Sequence, residues 1–168
     1  MKVDMILVFA IVVGLVAVPY ALFIIFGSGN SKKVANQIKE ESKQHNLNIN
    51  QQEKWSSRHI ALDSVANKLL FARTENKELI FKYVDLNSIS RVAILEHVES
   101  KRIDGKTHST LEKLSLEFIS AEHAQPVVLN FYNSETDATQ NYEVARATKW
   151  KTLIENQLNL GLKKAKAA

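Results

Sequence analysis

Cysteine does not occur in the 168 residues, which excludes disulfides and thiolate-held metals and leaves the redox compartment open. No H-E-x-x-H run is present, and no two of His45, His59, His97, His108 and His123 stand at helical ligand spacing. No G-x-S-x-G elbow sets a serine beside a base. Gly27-Ser28-Gly29-Asn30-Ser31-Lys32 looks like a phosphate loop, but it lacks the G-x-x-x-x-G-K-[ST] spacing and follows no buried strand. A large excess of one sign of charge is lacking too. Lys and Arg number 22 against 18 Asp and Glu, a net of +4, and from Trp55 onward the two signs are nearly balanced. A nucleic-acid binder gathers a basic face, so no nucleic acid is expected as a partner. Glu96/Glu99 and Glu40/Glu41 need a cleft to divide acid and base roles, and they read as solvated charges. His97 and Glu99 share a strand face, with His108 across a hairpin, a donor set of metal-binding type. Nothing in the sequence supplies the outer residues that would orient it. The expectation is no catalytic residue, no metal and no cofactor.

One long run lacks charge altogether, Met5–Phe26. As a helix it reaches roughly 33 Å, enough for a bilayer core of about 30 Å, and it exceeds the usual apolar length of a cleaved signal. The sequence therefore predicts a retained single-pass transmembrane anchor over 1–27. Lys2 and Asp4 precede it, whereas Lys32, Lys33, Lys39 and Lys43 follow. The positive-inside rule then places the C-terminal domain in the cytoplasm, at the plasma (inner) membrane. Ala10, Gly14, Ala17 and Ala21 form a small-residue stripe on that helix, either a helix-packing face or the ordinary composition of membrane helices.

Residues 28–54 read as a hinge and stalk: Ser31 caps a short helix running to about Gln44, and LNINQQEK, Leu47–Lys54, is polar. From Arg58 the apolar period becomes two. Ile60 and Leu62, Leu69 and Phe71, Leu79, Phe81 and Tyr83, Val92 and Ile94, Leu114, Leu116 and Phe118, and Val127, Leu129 and Phe131 mark successive strands. Turns are expected at Thr74–Lys77 and at Asp104-Gly105, the latter inside a long hairpin. Then the period returns to that of a helix. Asp137 with Gln140 suggests a capping box, and Val144, Ala147, Trp150, Ile154 and Leu158 form one stripe, with Gly161 as the stop. A basic tail, 161–168, follows.

Six or seven antiparallel strands closed by one amphipathic helix over 55–160 resemble the pleckstrin-homology (PH)-like superfold. Asp85–Ile94, DLNSISRVAI, is similar to the strand corner of PH and GRAM-like domains, and Trp150 in KWKTLIENQL to the tryptophan of their closing helix. The resemblance implies an α+β fold: a bent antiparallel sheet or barrel capped by the helix, with Trp150 and Ile154 against Leu116, Phe118 and Phe131. It does not carry phosphoinositide binding here, because Phe71 stands where the K-x(n)-[KR]-x-R pattern needs a cation two residues before Arg73.

The expected function is that of a non-enzymatic, membrane-anchored adaptor presenting this domain to a protein partner or the membrane surface. The alternative is an accessory structural subunit assembled through the transmembrane helix; self-association belongs to either. Lys101, Arg102 and Lys106 gather at the Asp104-Gly105 tip, as a docking finger for phosphate or an acidic partner or as gatekeeping charge on an exposed hairpin.

Overall fold

The computed structural model describes residues 34–76, 78–120, 125–140 and 142–167, together with Val13. The chain divides into two compact units, Met1–His45 and Asn46–Ala168. In the first, the described residues form helix α1 at 34–44, in which the Ser42 hydroxyl donates to the Ile38 carbonyl at 2.7 Å.

In the second unit the described residues form seven antiparallel strands and a C-terminal helix: β1 (Gln51–Trp55), β2 (Arg58–Asp63), β3 (Lys68–Glu75), β4 (Glu78–Asp85), β5 (Ile89–Ile103), β6 (Lys106–Ser120), β7 (Val127–Asn133) and α2 (Glu143–Ala167). Two sheets result, in the orders β1-β2-β3-β4 and β5-β6-β7. This two-sheet domain with its closing helix has the coarse architecture that the PH resemblance implies. Alternation decides the faces. Ile60, Leu62, Leu69 and Phe71 from the first sheet meet Leu114, Leu116, Phe118, Leu129 and Phe131 from the second, and Ala147, Trp150 and Ile154 of α2 join the same core. The β2–β3 turn is organised by Asp63, whose carboxylate accepts from the backbone N–H of Asn48, Val65 and Ala66 at 2.7–2.9 Å. The change of sheet falls at a single 3-10 turn, Leu86–Ser88, capped by Asp85.

Three segments differ from the sequence reading. The stalk was expected to reach Lys54, but Gln51–Trp55 pair with β2 from Gln51↔Leu62 to Trp55↔Arg58. β1 is an edge strand whose outward side chains are polar, so it shows no apolar alternation. The capping box does not form. The Asp137 carboxylate is engaged by the Arg58 guanidinium at 2.7 Å and the Asn133 N–H at 2.8 Å, and α2 starts at Glu143. A charge-assisted bond to a buried cation outcompetes an orphan helix N–H. Finally, α2 passes through Gly161 to Ala167. Glycine in a helix costs only about 1 kcal/mol relative to alanine, and Leu162, Lys163, Lys164 and Ala165 beyond it are good helix formers.

Among the described residues no helix is long and apolar enough to cross a membrane. The described part of α1 carries Lys39, Glu40, Glu41 and Lys43, while α2 is long but bears charged residues at both ends and through its first half. This corrects the expected fold class in its single transmembrane helix. It equally corrects the integral single-pass membrane partnership and the placement at the plasma (inner) membrane with a cytoplasmic domain. The expected span, Met5–Phe26, with its stripe Ala10, Gly14, Ala17 and Ala21, lies outside the described residues except for Val13.

Candidate interaction surface

Two polar joints fix the frame on which any surface of the domain is displayed. Arg58, only 2% exposed, opens β2 and reaches with its guanidinium to the middle of β7 and to the turn after it. Its Nε donates to the Asn130 carbonyl at 2.8 Å, Nη2 to Asn130 Oδ1 at 2.7 Å and Nη1 to Asp137 Oδ1 at 2.7 Å. Burial of a guanidinium is tolerated only when its donors are matched in this way. Glu53 on β1 is the second joint. It accepts from Arg146 Nε at 2.8 Å, Trp150 Nε1 at 2.9 Å and Lys149 Nζ at 3.0 Å. Burial pushes the Glu53 carboxyl up, but these three donors outweigh it and hold the group below its ordinary value. Trp55 adds a bond from Nε1 to the Phe131 carbonyl at 3.1 Å, and Arg146 stacks over its ring at 5.0 Å.

A groove of about 230 Å³ lies between β3, β4 and β7, lined by Phe71, Arg73, Glu75, Ile80, Lys82 and Asn130. Its cations are engaged within the fold. Arg73 pairs with Glu75 at 2.6 Å and donates to Asn130 Oδ1 at 3.2 Å, and Lys82 donates to the Val128 carbonyl at 2.9 Å. The groove is thus a seam between the two sheets with an apolar floor from Phe71 and Ile80 and internally paired charges at its rim, and no nucleophile lines it beside a base.

The β5–β6 hairpin is different. Strand β7 pairs with β6 only from Lys113 to Phe118, so beyond that point the hairpin is paired with no other described strand. Every described side chain from Leu95 to Thr110 is exposed, including Leu95 at 42% and Val98 at 45%. From the Val98↔Leu111 pair to the Ile103↔Lys106 pair the arm extends by roughly 17 Å at about 3.4 Å per residue. Asp104 (φ 50°) and Gly105 (φ 77°) close it, both with the positive φ of a type I′ turn, whose twist suits a two-residue hairpin. An isolated two-stranded hairpin is only marginally stable in water.

The arm carries the three basic residues singled out in the sequence, but not on one face. Lys101, opposite His108, and Lys106 lie on one face, whereas Arg102, opposite Thr107, points to the other. Nor are they alone. Lys101 Nζ stands 3.2 Å from Glu99 Oε2, and over Leu95–Thr110 Glu96, Glu99 and Asp104 match the three cations in number. A finger of purely positive charge is not what the strand presents. His97, Glu99 and His108 do share a face, with Lys101 among them, and among the described residues no group of three His, Cys, Asp or Glu is placed to hold a metal. Ala10, Gly14, Ala17 and Ala21 lie outside the described residues.

Sequence reasoning missed Arg58 and Glu53. The one available signal was Arg58 at the head of the apolar run that begins at Ile60; Glu53, in QQEKWSS, carried none. Comparison with known protein families, with characterised proteins and with solved structures finds no match to this chain.

Proposed function

We propose that the second unit is a non-enzymatic binding module of the PH-like type that offers its β5–β6 arm to a protein partner. The observation that carries this reading is the arm itself: a long hairpin exposed from Leu95 to Thr110 whose outer edge, along β5, is paired with no other described strand. Such an edge presents a row of backbone donors and acceptors, and strand addition is a recurrent way of using one. The buried Trp150 on the closing helix and the sheet change at Leu86–Ser88 support the PH-like assignment.

The test is site-specific photo-crosslinking of the full chain in cells. A photoreactive residue in place of Val98 gives a discrete protein adduct on this reading. One in place of Glu78, exposed on β4, gives none. Absence of any adduct at Val98 contradicts the reading.

A further inference from the structure

We infer that the partner of the arm is a second copy of this chain, joined β5 to β5 across a two-fold axis at Ser100. The inference rests on the binding-module reading above and adds the identity of the occupant.

Backbone geometry limits the possible registers. Ile103 and Lys106 flank the two-residue turn, so their backbone groups bond each other, and alternation then turns the N–H and C=O of Arg102, Ser100 and Val98 outward. In an antiparallel pair two residues directly opposite must both turn toward the partner strand or both away. Two-fold registers are therefore centred on a residue. Centring on Glu99, Lys101 or Arg102 sets a charge against itself. Centring on Ser100 sets Glu99 opposite Lys101 of the second copy, and Lys101 opposite its Glu99. Directly opposed charges of opposite sign stabilise a sheet and like charges destabilise it. The intrastrand ion pair at 3.2 Å places both side chains on one face, so the four charges of the dimer form a ladder of alternating sign.

Two further observations agree. Over Leu95–Thr110 acidic and basic side chains are equal in number, so no net charge across that stretch opposes the approach of two copies. At the axis the outward backbone groups of Ser100 meet their own equivalents, and its hydroxyl, 3.1 Å from that of Ser109, is a small side chain that leaves the axis uncrowded. The product is one continuous sheet in the order β7-β6-β5-β5-β6-β7, which removes the exposed edge of both copies.

Sedimentation velocity on the full chain over a concentration series tests this. Glu99→Lys and Lys101→Glu each convert both central pairs into like-charge pairs and are expected to weaken self-association at least about tenfold. The double variant restores opposite charges and with them the wild-type affinity. Mixing the two single variants yields a heterodimer, because each then supplies the charge the other lacks. Ser100→Pro removes an outward donor without touching the β5–β6 ladder and abolishes pairing. A monomer at every concentration, or association indifferent to all of these changes, overturns the inference. An adduct at Val98 with a different polypeptide, and none with a second copy, overturns it too while leaving the binding-module reading in place. No adduct of any kind removes both.

Discussion

Replacing Arg58 by methionine removes three donors and one charge from a site that is almost sealed. The side chains of Arg58 and Asp137 are 1% and 6% exposed. In the variant the Asp137 carboxylate keeps the Asn133 N–H but loses its counter-ion, while the Asn130 carbonyl and side-chain oxygen lose the donors that Arg58 gave them. Removing one partner of a buried pair costs about 3–5 kcal/mol, chiefly because the other charge is left uncompensated. Domains of this size have a total stability of about 5–15 kcal/mol. With a urea dependence of about 1–3 kcal/mol per molar, the unfolding midpoint falls by roughly 2 M. Tryptophan fluorescence reads the transition directly, since Trp55 and Trp150 are 5% and 1% exposed in the core. Arg58→Lys keeps the charge but cannot satisfy all three acceptors, and falls between wild type and methionine. A loss below about 1 kcal/mol for Arg58→Met, the range of an exposed ion pair, would refute the claim that this joint ties β2 to β7.

Glu53→Gln weakens the clasp between β1 and α2 and lowers stability by about 1–3 kcal/mol, measured by the same urea transition. Acid sensitivity follows from two carboxyls. In both Glu53 and Asp63 burial acts upward but is outweighed, in Glu53 by Arg146, Lys149 and Trp150, in Asp63 by the N–H groups of Ala66, Asn48 and Val65 together with Lys68. Their folded values lie below the unfolded ones, so the unfolded chain binds more protons. Stability is fully present above the ordinary carboxylate range of about 4 and is lost as pH falls through the depressed folded values; urea midpoints between pH 6 and pH 3 show the loss, and Glu53→Gln with Asp63→Asn shallows it. Gly105→Val forces a β-branched residue to φ 77°, costing about 1–2 kcal/mol. It accelerates amide exchange in the arm and leaves exchange of the core strands unchanged.

How far these features were legible varied with the physics behind each. The period-two runs in KLLFAR and PVVLNFYN announced β3 and β7 because Leu69 and Phe71, like Leu129 and Phe131, must turn to one shared core, which enforces the spacing. Asp104-Gly105 was readable because few dipeptides accept two successive positive φ values. Strand β1 was not, since Gln51 and Gln52 contribute backbone pairing rather than apolar side chains to the sheet. Asp137 misled for a related reason: a carboxylate suited to a helix cap is equally suited to a buried guanidinium, and only the fold brings Arg58 to it across 79 positions. The apolar run Met5–Phe26 was read as a membrane span. Among the described residues no helix is long and apolar enough to cross a membrane, and length with hydropathy alone does not say what covers such a run. Lys101, Arg102 and Lys106 were conspicuous as a cluster, yet strand alternation divides them between two faces, which a linear reading of charge does not register.

Native-state amide exchange of the full chain at low and at high protein concentration measures the open edge directly. If two copies join along β5, the outward N–H groups of Val98, Ser100 and Arg102 exchange quickly when dilute and become protected when concentrated, while those of Glu99 and Lys101, already bonded to β6, change little. Equal exchange of the outward set at every concentration would contradict the pairing.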